Sequence, residues 1–367
     1  MTLILDDIQL SVDSELYLRD ISVELHGGSF NVLLGRTRAG KTSLLRVIAG
    51  LEKPSAGRIK FNGEDITQHT VQQRNVAMVY QQFINYPHFT VGDNIASPLK
   101  QAGLDRKEMS SRVDAIATVL QIDGLLDRYP LELSGGQQQR TAMARALVKE
   151  ADLILFDEPL ANLDYKLRED LRGDIRELLK QRQTIAVYAT TEPQEALALG
   201  GSTLLMHEGR IIQSGSSADV YLRPSSITAA ALSAEPPRNI VPITITHESI
   251  TLGQVEQPLV WSDASAHDIP PGNYLLVVPA HNLSMQRRSV DDLALPMNVE
   301  LAEINGFETH VHLAANNVTM LAQLTGVHHF DLDQAVQVYL PLEHSLLFSV
   351  HGQLIGPAFT QAAGRNQ

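Results

Sequence analysis

Phe30–Thr42 reads FNVLLGRTRAGKT, an apolar run that ends at Gly35 and enters the pattern G-x-x-x-x-G-K-[ST]. A short apolar run bounded by glycine reads as a buried strand, and Lys41–Leu51 brings Leu44, Leu45 and Ile48 onto one helical face. A loop of backbone N–H groups between strand and helix suits a phosphate, because unpaired donors and the helix dipole both favour negative charge. Gly35, Arg36, Thr37, Arg38, Ala39 and Gly40 form that loop, and Ser43 stands in the first turn of the helix. Lys41 would neutralise β- and γ-phosphates, and Thr42 would hold Mg²⁺ through its hydroxyl. The plain alternative is a glycine-rich turn with an incidental lysine, which the flanking strand and helix disfavour.

Outward from this loop, β-branched or apolar runs alternate with segments of helical period from Met1 to about Ala234, the pattern of a parallel sheet flanked by helices. Arg58–Phe61 followed by Asn62-Gly63 reads as a strand entering a tight turn, and Val76–Tyr80, Leu153–Phe156 and Thr184–Thr190 as further strands. A mainly helical insert, about 86–150, carries Val113, Ile116, Ala117 and Leu120 at helical spacing. Leu163–Arg182 repeats that spacing through Leu167, Leu171, Ile175 and Leu178. Glu235-Pro236-Pro237-Arg238-Asn239 interrupts both periods, so the expected domains are 1–235 and 240–367. In the second, Tyr274–Val278, Thr309–Leu313 and Ala335–Leu340 are separated by Gly, Asn, Asp and Pro, which predicts a small all-β domain or partial barrel. The C-terminal GRNQ is expected to fray.

Composition narrows the function. With 29 Lys and Arg against 42 Asp and Glu the net charge is −13, so a general nucleic-acid binder is disfavoured. There is no cysteine, which excludes disulfides and thiolate chemistry, and the 13 histidines lack metal-ligand spacing. No run approaches a membrane span and MTLILDDIQL does not read as a secretory signal, so the expectation is a cytoplasmic chain whose membrane role comes through a partner.

Two further motifs carry chemistry. Leu153–Pro159, LILFDEP, is an apolar strand ending in two carboxylates, which are costly in a buried sheet unless a cation or a reaction uses them. Asp157 suits magnesium, directly or through water, and Glu158 could polarise the water that attacks the γ-phosphate. A lone strand-end Asp often merely caps the next helix, but here the phosphate loop lies upstream. Leu133–Arg140, LSGGQQQR, begins with Ser134 and Gln137 spaced as a capping box. Gly135 and Gly136 lower the helix propensity of that first turn and leave its N–H groups open to an anion, which a bare capping box does not require.

Taken together, GRTRAGKT, LSGGQQQR, LILFDEP and the following Ala161-Asn162-Leu163-Asp164 stand in the order of the ATP-binding cassette (ABC) ATPases, which the whole chain resembles. The resemblance implies a P-loop α/β ABC domain with a helical insert, followed by a small all-β (OB-like) domain like the accessory domain of the maltose-importer ATPase group. LVVPAHNLSM and PLEHSLLFSVHGQLI carry that second likeness. RTRAGKTSLLR, VAMVYQQFINYP, PLANLDYKLRE and YATTEPQEAL are most similar to ATPases of bacterial glycerol importers. Gln81, in Val79-Tyr80-Gln81-Gln82, is the implied ligand of magnesium and water, and Asp164 joins the nucleotide contacts. Two such domains close head to tail, so that Ser134, Gly135, Gly136 and Gln137 serve the partner's nucleotide. Closure is passed to two membrane permease subunits near Gln81–Asn94, where Phe83, Tyr86, Pro87 and Phe89 either receive them or pack the insert's own core. A solute-binding protein completes the importer, at the inner membrane.

The pattern is broken in three places. Thr191, in Thr190-Thr191-Glu192-Pro193, stands where most members have a histidine that contacts the γ-phosphate; it donates one hydrogen bond and carries no charge. Val12 occupies the place of the aromatic residue that stacks on adenine, Tyr17 being the nearest aromatic, and Arg38 replaces a usual glycine. Either this chain pairs with a different ATPase that has the histidine, or Thr191 suffices in a homodimer; the glycerol-importer likeness favours the first. Three other classes stand against this reading. An ABC protein of DNA repair or translation would carry a coiled-coil insertion or two cassettes, and a P-loop kinase leaves LSGGQ without a purpose. A mainly regulatory subunit would hold ATP without turnover.

Overall fold

The computed structural model of the 367-residue chain describes residues 1–357 apart from 29, 161–164, 181–182, 254, 259–268, 290–291 and 316–317. It divides into two compact units, Met1–Val220 and Tyr221–Gln367. The division falls ahead of the sequence-expected break at 235. The short helix Ile227–Leu232 belongs with the second unit, where its Ala230 packs with Val277 and Phe348.

In the first unit, a six-stranded sheet runs in the order Arg210–Ser216, Ser202–His207, Phe30–Leu34, Ile185–Thr190, Leu153–Asp157, Val76–Val79. The last five strands are parallel, and Arg210–Ser216 closes the edge antiparallel. Phe30–Leu34 and Leu153–Asp157 are buried at every position, as strands covered on both faces must be. A second, antiparallel sheet has the order Glu15–His26, Thr2–Val12, Ala56–Phe61, Glu64–Asp65. Its Leu3, Leu5 and Ile8 share one core with Leu44, Leu45 and Ile48 of the helix Lys41–Ala49 and with Leu155 and Val187 of the parallel sheet. The Asn62-Gly63 turn has φ values of 49° and 88°, the paired left-handed geometry that matches the twist of a two-residue hairpin.

The insert contains the helices Val91–Gln101, Arg106–Val119 and Gly135–Leu147. Val113, Ile116 and Ala117 are buried on one face of the middle helix, with Leu120 following at its C-cap. The later helix Tyr165–Lys180 buries Leu171, Ile175 and Leu179.

The second unit contains two antiparallel sheets. One has the order Val255–Pro258, Ser249–Leu252, Asn239–Ile245, Gly272–Val278, Leu346–Ser349, Leu354–Pro357; the other Val318–Thr325, Glu308–Ala315, Leu293–Asn305, Ala335–Leu340. Val241, Leu276 and Leu347 of the first and Val299, Val311 and Val338 of the second share a single apolar core, so each sheet presents its polar alternate residues outward. Among the described residues, no helix is long and apolar enough to cross a membrane.

Candidate functional site

Four adjacent parallel strands end on the same side of the sheet, and the polar residues singled out in the sequence follow their carboxyl ends, where α/β sheets bind ligands. Gly35 follows Leu34, Glu158 follows Asp157, Thr191 follows Thr190, and Tyr80-Gln81 follow Val79. Two backbone hydrogen bonds tie these ends together. The N–H of Gly35 donates to the carbonyl of Thr190 at 3.2 Å, and that of Glu158 to the carbonyl of Ala189 at 3.1 Å.

The loop then turns into its helix through Gly40 at φ 103°, with no side chain capping the helix start. A Cβ at Gly40 would come within 2.8 Å of the Met206 side chain and 3.2 Å of the Tyr17 carbonyl, so both conformation and space require glycine. Arg38 adopts φ 68°, the left-handed region that the family's usual glycine enters without strain. Arg38→Gly therefore should stabilise the first unit by about 0.5–1 kcal/mol. The corresponding rise in the melting temperature is about 2–3 °C for a unit of this size. An unchanged or lower melting temperature by calorimetry would show that Arg38 gains compensating contacts.

Lys41 is 4% exposed, and its ammonium donates to the carbonyls of Gly35 at 2.8 Å and Arg36 at 3.2 Å. It also lies 3.2 Å from Oε1 of Glu158. The other oxygen of Glu158 accepts from Nε2 of Gln81 at 3.2 Å. Thr42 donates its hydroxyl to Asp157 at 3.0 Å. Burial pushes the Asp157 carboxyl up from its ordinary pKa, opposed by the Thr42 hydrogen bond and reinforced by the neighbouring charge of Glu158. Lys41, Thr42, Gln81, Asp157 and Glu158, distant in sequence, thus meet in one cluster. Glu158 itself sits at φ 48°, a strained setting for a carboxylate residue.

A cavity of about 610 Å³ opens on this cluster. Its wall includes Thr37, Arg38, Gly40, Lys41, Thr42, Ser43, Gln81 and Glu158. Sequence reasoning named Tyr17 only as the nearest aromatic and missed the rest of the wall: Glu15, Leu16, Arg19, Glu208 and Gly209. Tyr17 is held there by its backbone. Arg19 donates its N–H to the Gly209 carbonyl at 2.8 Å, and Gly209 donates to Ala39 of the loop at 2.9 Å. Val12 is off the wall, so the aromatic surface next to the loop belongs to Tyr17. The Tyr17 hydroxyl donates to Glu15 at 3.2 Å.

Gly35, Arg36 and Ala39 form the loop's backbone without lining the cavity. Asp157 lies just beneath the wall through Thr42, and Thr191 is outside it. Asp164 lies outside the described residues. Ser134, Gly135, Gly136 and Gln137 are also away from this cavity. Ser134 caps the helix Gly135–Leu147: its hydroxyl accepts from the N–H of Gln137, whose side-chain oxygen accepts from the N–H of Ser134 at 3.0 Å. A Cβ on Gly135 would meet nothing closer than a Phe83 ring carbon at 4.0 Å, so this helix start is open to approach.

The loop after Gln81 is fixed to the insert by side chains. Asn94, fully buried, accepts from the Tyr86 N–H and donates to the carbonyls of Tyr86, Phe89 and Thr90. Arg145 donates to the Ile84 carbonyl and lies 4.8 Å over the Tyr86 ring. Tyr86 and Phe89 pack edge to face at 5.4 Å yet stay half-exposed beside a recess of about 400 Å³.

A family model described as ABC transporter matches residues 18–161. The sn-glycerol-3-phosphate import ATP-binding protein UgpC 3 of Rhizobium etli is 36% identical over 307 residues, covering 84% of this chain and 85% of the relative. The chain belongs to the ABC transporter ATPases. The trehalose import ATP-binding protein SugC of Mycobacterium tuberculosis is 34% identical, over 92% of this chain and 86% of its own. The Fe(3+) ions import ATP-binding protein FbpC of Escherichia coli K12 is 40% identical over 64% of this chain and 66% of its own. Among solved structures, the dimeric post-hydrolysis state of the ATP-binding cassette MJ0796 with ADP and Pi superposes with a TM-score of 0.54 at 23% identity. It covers 59% of this chain and 98% of its own, a likeness of fold. The chain is an ABC-type, ATP-binding ATPase of the import group.

Proposed function

We propose that this chain hydrolyses MgATP as one half of a head-to-tail ATPase pair and thereby drives import of a small polyol or sugar. Glycerol is the solute that the sequence resemblance favours, yet the relatives above are named for sn-glycerol 3-phosphate, trehalose and Fe(3+). That spread supports a solute recognised by other subunits of the importer, so glycerol 3-phosphate and trehalose stand beside glycerol as candidates. The observation that carries the reading is the Glu158 carboxylate held between Lys41 and Gln81, next to the Thr42–Asp157 contact.

Thr42, Asp157 and Gln81 offer oxygen donors, the donor set that suits Mg²⁺, which is usually held by one or two carboxylates plus substrate phosphates. Among the described residues no group of three His, Cys, Asp or Glu could hold a metal. When bound, Mg²⁺ would supply positive charge to the β- and γ-phosphate oxygens. Lys41 neutralises the same phosphates, and an entering phosphate competes with Glu158 for its ammonium. Glu158, released from that pair, accepts a proton from water at its carboxylate, while Gln81 orients the water through its amide.

The cavity wall lacks Ser134, Gly135, Gly136 and Gln137, which supports their serving the nucleotide of a facing subunit. Thr191 lies off the wall and can offer only a neutral hydrogen bond, which supports a partner ATPase that has the histidine. Tyr86 and Phe89 are offered to two membrane permease subunits at the cytoplasmic face of the bacterial inner membrane, and an external solute-binding protein delivers the solute.

The test is solute-stimulated ATPase activity of the assembled importer purified through this chain and assayed with glycerol, sn-glycerol 3-phosphate and trehalose. Lys41→Ala should abolish nucleotide binding at this chain's own loop, and Ser134→Arg should remove hydrolysis while leaving that binding intact. An importer whose turnover survives both changes would overturn the composite-site reading. Tyr17→Ala should weaken ATP binding about five- to tenfold, the worth of one aromatic contact, whereas Val12→Ala should change it by less than about twofold. Equal effects at the two positions, measured with a fluorescent ATP analogue, would remove Tyr17 from the site.

A further inference from the structure

We propose that Glu195 is a positioning residue for hydrolysis, holding the end of the strand Ile185–Thr190 so that Glu158 and the phosphate loop keep their relative places. The proposal rests on the ATPase reading above.

Glu195 lies in the helix Pro193–Leu199, is 6% exposed and does not line the cavity. A buried carboxylate is expensive unless its oxygens are satisfied. Here each oxygen accepts from a different hydroxyl: Oε1 from Tyr188 at 2.7 Å and Oε2 from Thr190 at 2.5 Å. Thr190 also accepts the N–H of Glu192 at 3.0 Å, so its single proton is committed to Glu195. The arrangement needs an acceptor on both oxygens, which a carboxylate provides and an amide does not.

The two hydroxyls belong to the strand end that carries the site. The Thr190 carbonyl accepts Gly35, the first residue of the phosphate loop, and the Ala189 carbonyl accepts Glu158. Tyr188 and Thr190 therefore flank the residue to which Glu158 is anchored, and Glu195 fixes both flanks. The strained φ of Glu158 makes this anchor consequential, since a residue outside its favoured region holds its place only while its surroundings determine it. Thr191 follows directly, so the same clamp sets where its hydroxyl can point.

The proposal separates from a purely structural role because it predicts a loss in turnover without a matching loss in binding. In the assembled importer, Glu195→Gln should lower kcat about tenfold while the ATP dissociation constant stays within about twofold. Thr190→Val should lower kcat similarly, and Thr190→Ser, which keeps the hydroxyl, should restore it. Glu195→Ala tests the same clamp more harshly, and Glu195→Gln remains informative if Glu195→Ala fails to fold. A Glu195→Gln importer with unchanged kcat, or a Thr190→Ser variant no better than Thr190→Val, would overturn the proposal. If the unaltered importer does not hydrolyse ATP, the functional reading itself fails. If it does and Glu195→Gln is silent, only the positioning role is lost.

Discussion

Glu158→Gln will leave ATP bound and stop its hydrolysis, with turnover falling about 10²–10⁴-fold, the range that a positioned general base supplies. The substitution keeps the shape and one oxygen acceptor but removes the charge and the basic oxygen. Gln81 can still hydrogen-bond the amide, so the loop after Val79 has no reason to move. Lys41 loses its ionic partner at 3.2 Å and is left more available to phosphate, so nucleotide affinity should hold or rise. The two effects move in opposite directions, which separates them from unfolding. Single-turnover hydrolysis together with equilibrium binding of a fluorescent ATP analogue reads both. A loss smaller than about tenfold would mean that water is activated elsewhere, because one missing base is worth more than that.

The second large effect concerns stability. Arg74 is 6% exposed, and one guanidinium serves four carbonyls. Its Nη1 donates to Val47 at 2.9 Å and Ile48 at 2.6 Å, at the end of the phosphate-loop helix, and its Nη2 to Ile66 at 2.8 Å and Thr67 at 3.2 Å. Helix C-termini leave their last carbonyls without intrahelical partners, and here those carbonyls are buried. The cation also sits where the helix dipole is negative. Val47 and Ile66 keep the N–H groups of Gly50 and His69, but Arg74→Ala leaves the Ile48 and Thr67 carbonyls unpaired at about 1–3 kcal/mol each, which amounts to about 4 kcal/mol. For a unit of this size the melting temperature should fall by about 10 °C. Arg74→Lys keeps the charge but not the fork, and should recover less than half of the loss. Thermal unfolding of the three proteins side by side would decide it; a fall of under about 3 °C for Arg74→Ala would show that water replaces the guanidinium.

Much of the fold was legible because local sequence and tertiary environment agree. FNVLL, LILF and the run ending at Thr190 are apolar but for Asn31 and the terminal Thr190, and buried at every position, as a strand covered on both faces must be. The N-terminal hairpin, by contrast, did not announce itself. Leu3 and Leu5 alternate correctly, but the next buried residues are Ile8 and Leu10, one step out of phase. A register shift between Leu5 and Ile8, with Asp7 at φ 50°, returns the side chains to the core, and a period-two reading has no means of anticipating it. The break between the units was displaced for a similar reason. The composition changes at Pro236-Pro237, whereas the short helix Ile227–Leu232 is assigned by what Ala230 packs against.

The sequence by itself determined the chemistry: a phosphate loop, a carboxylate pair at a strand end and a capped glycine helix start are each local, because their spacing along the chain is their geometry. Only the tertiary structure decided which of them share a cavity. Gln81 reaches Glu158, Ser134 is outside that cavity, and Tyr17 takes the wall that Val12 leaves bare. Those outcomes depend on the order of strands in the sheet and on backbone approaches such as Gly209 to Ala39. They are long-range pairings whose energy resides in no single segment, so no segment read alone contains them.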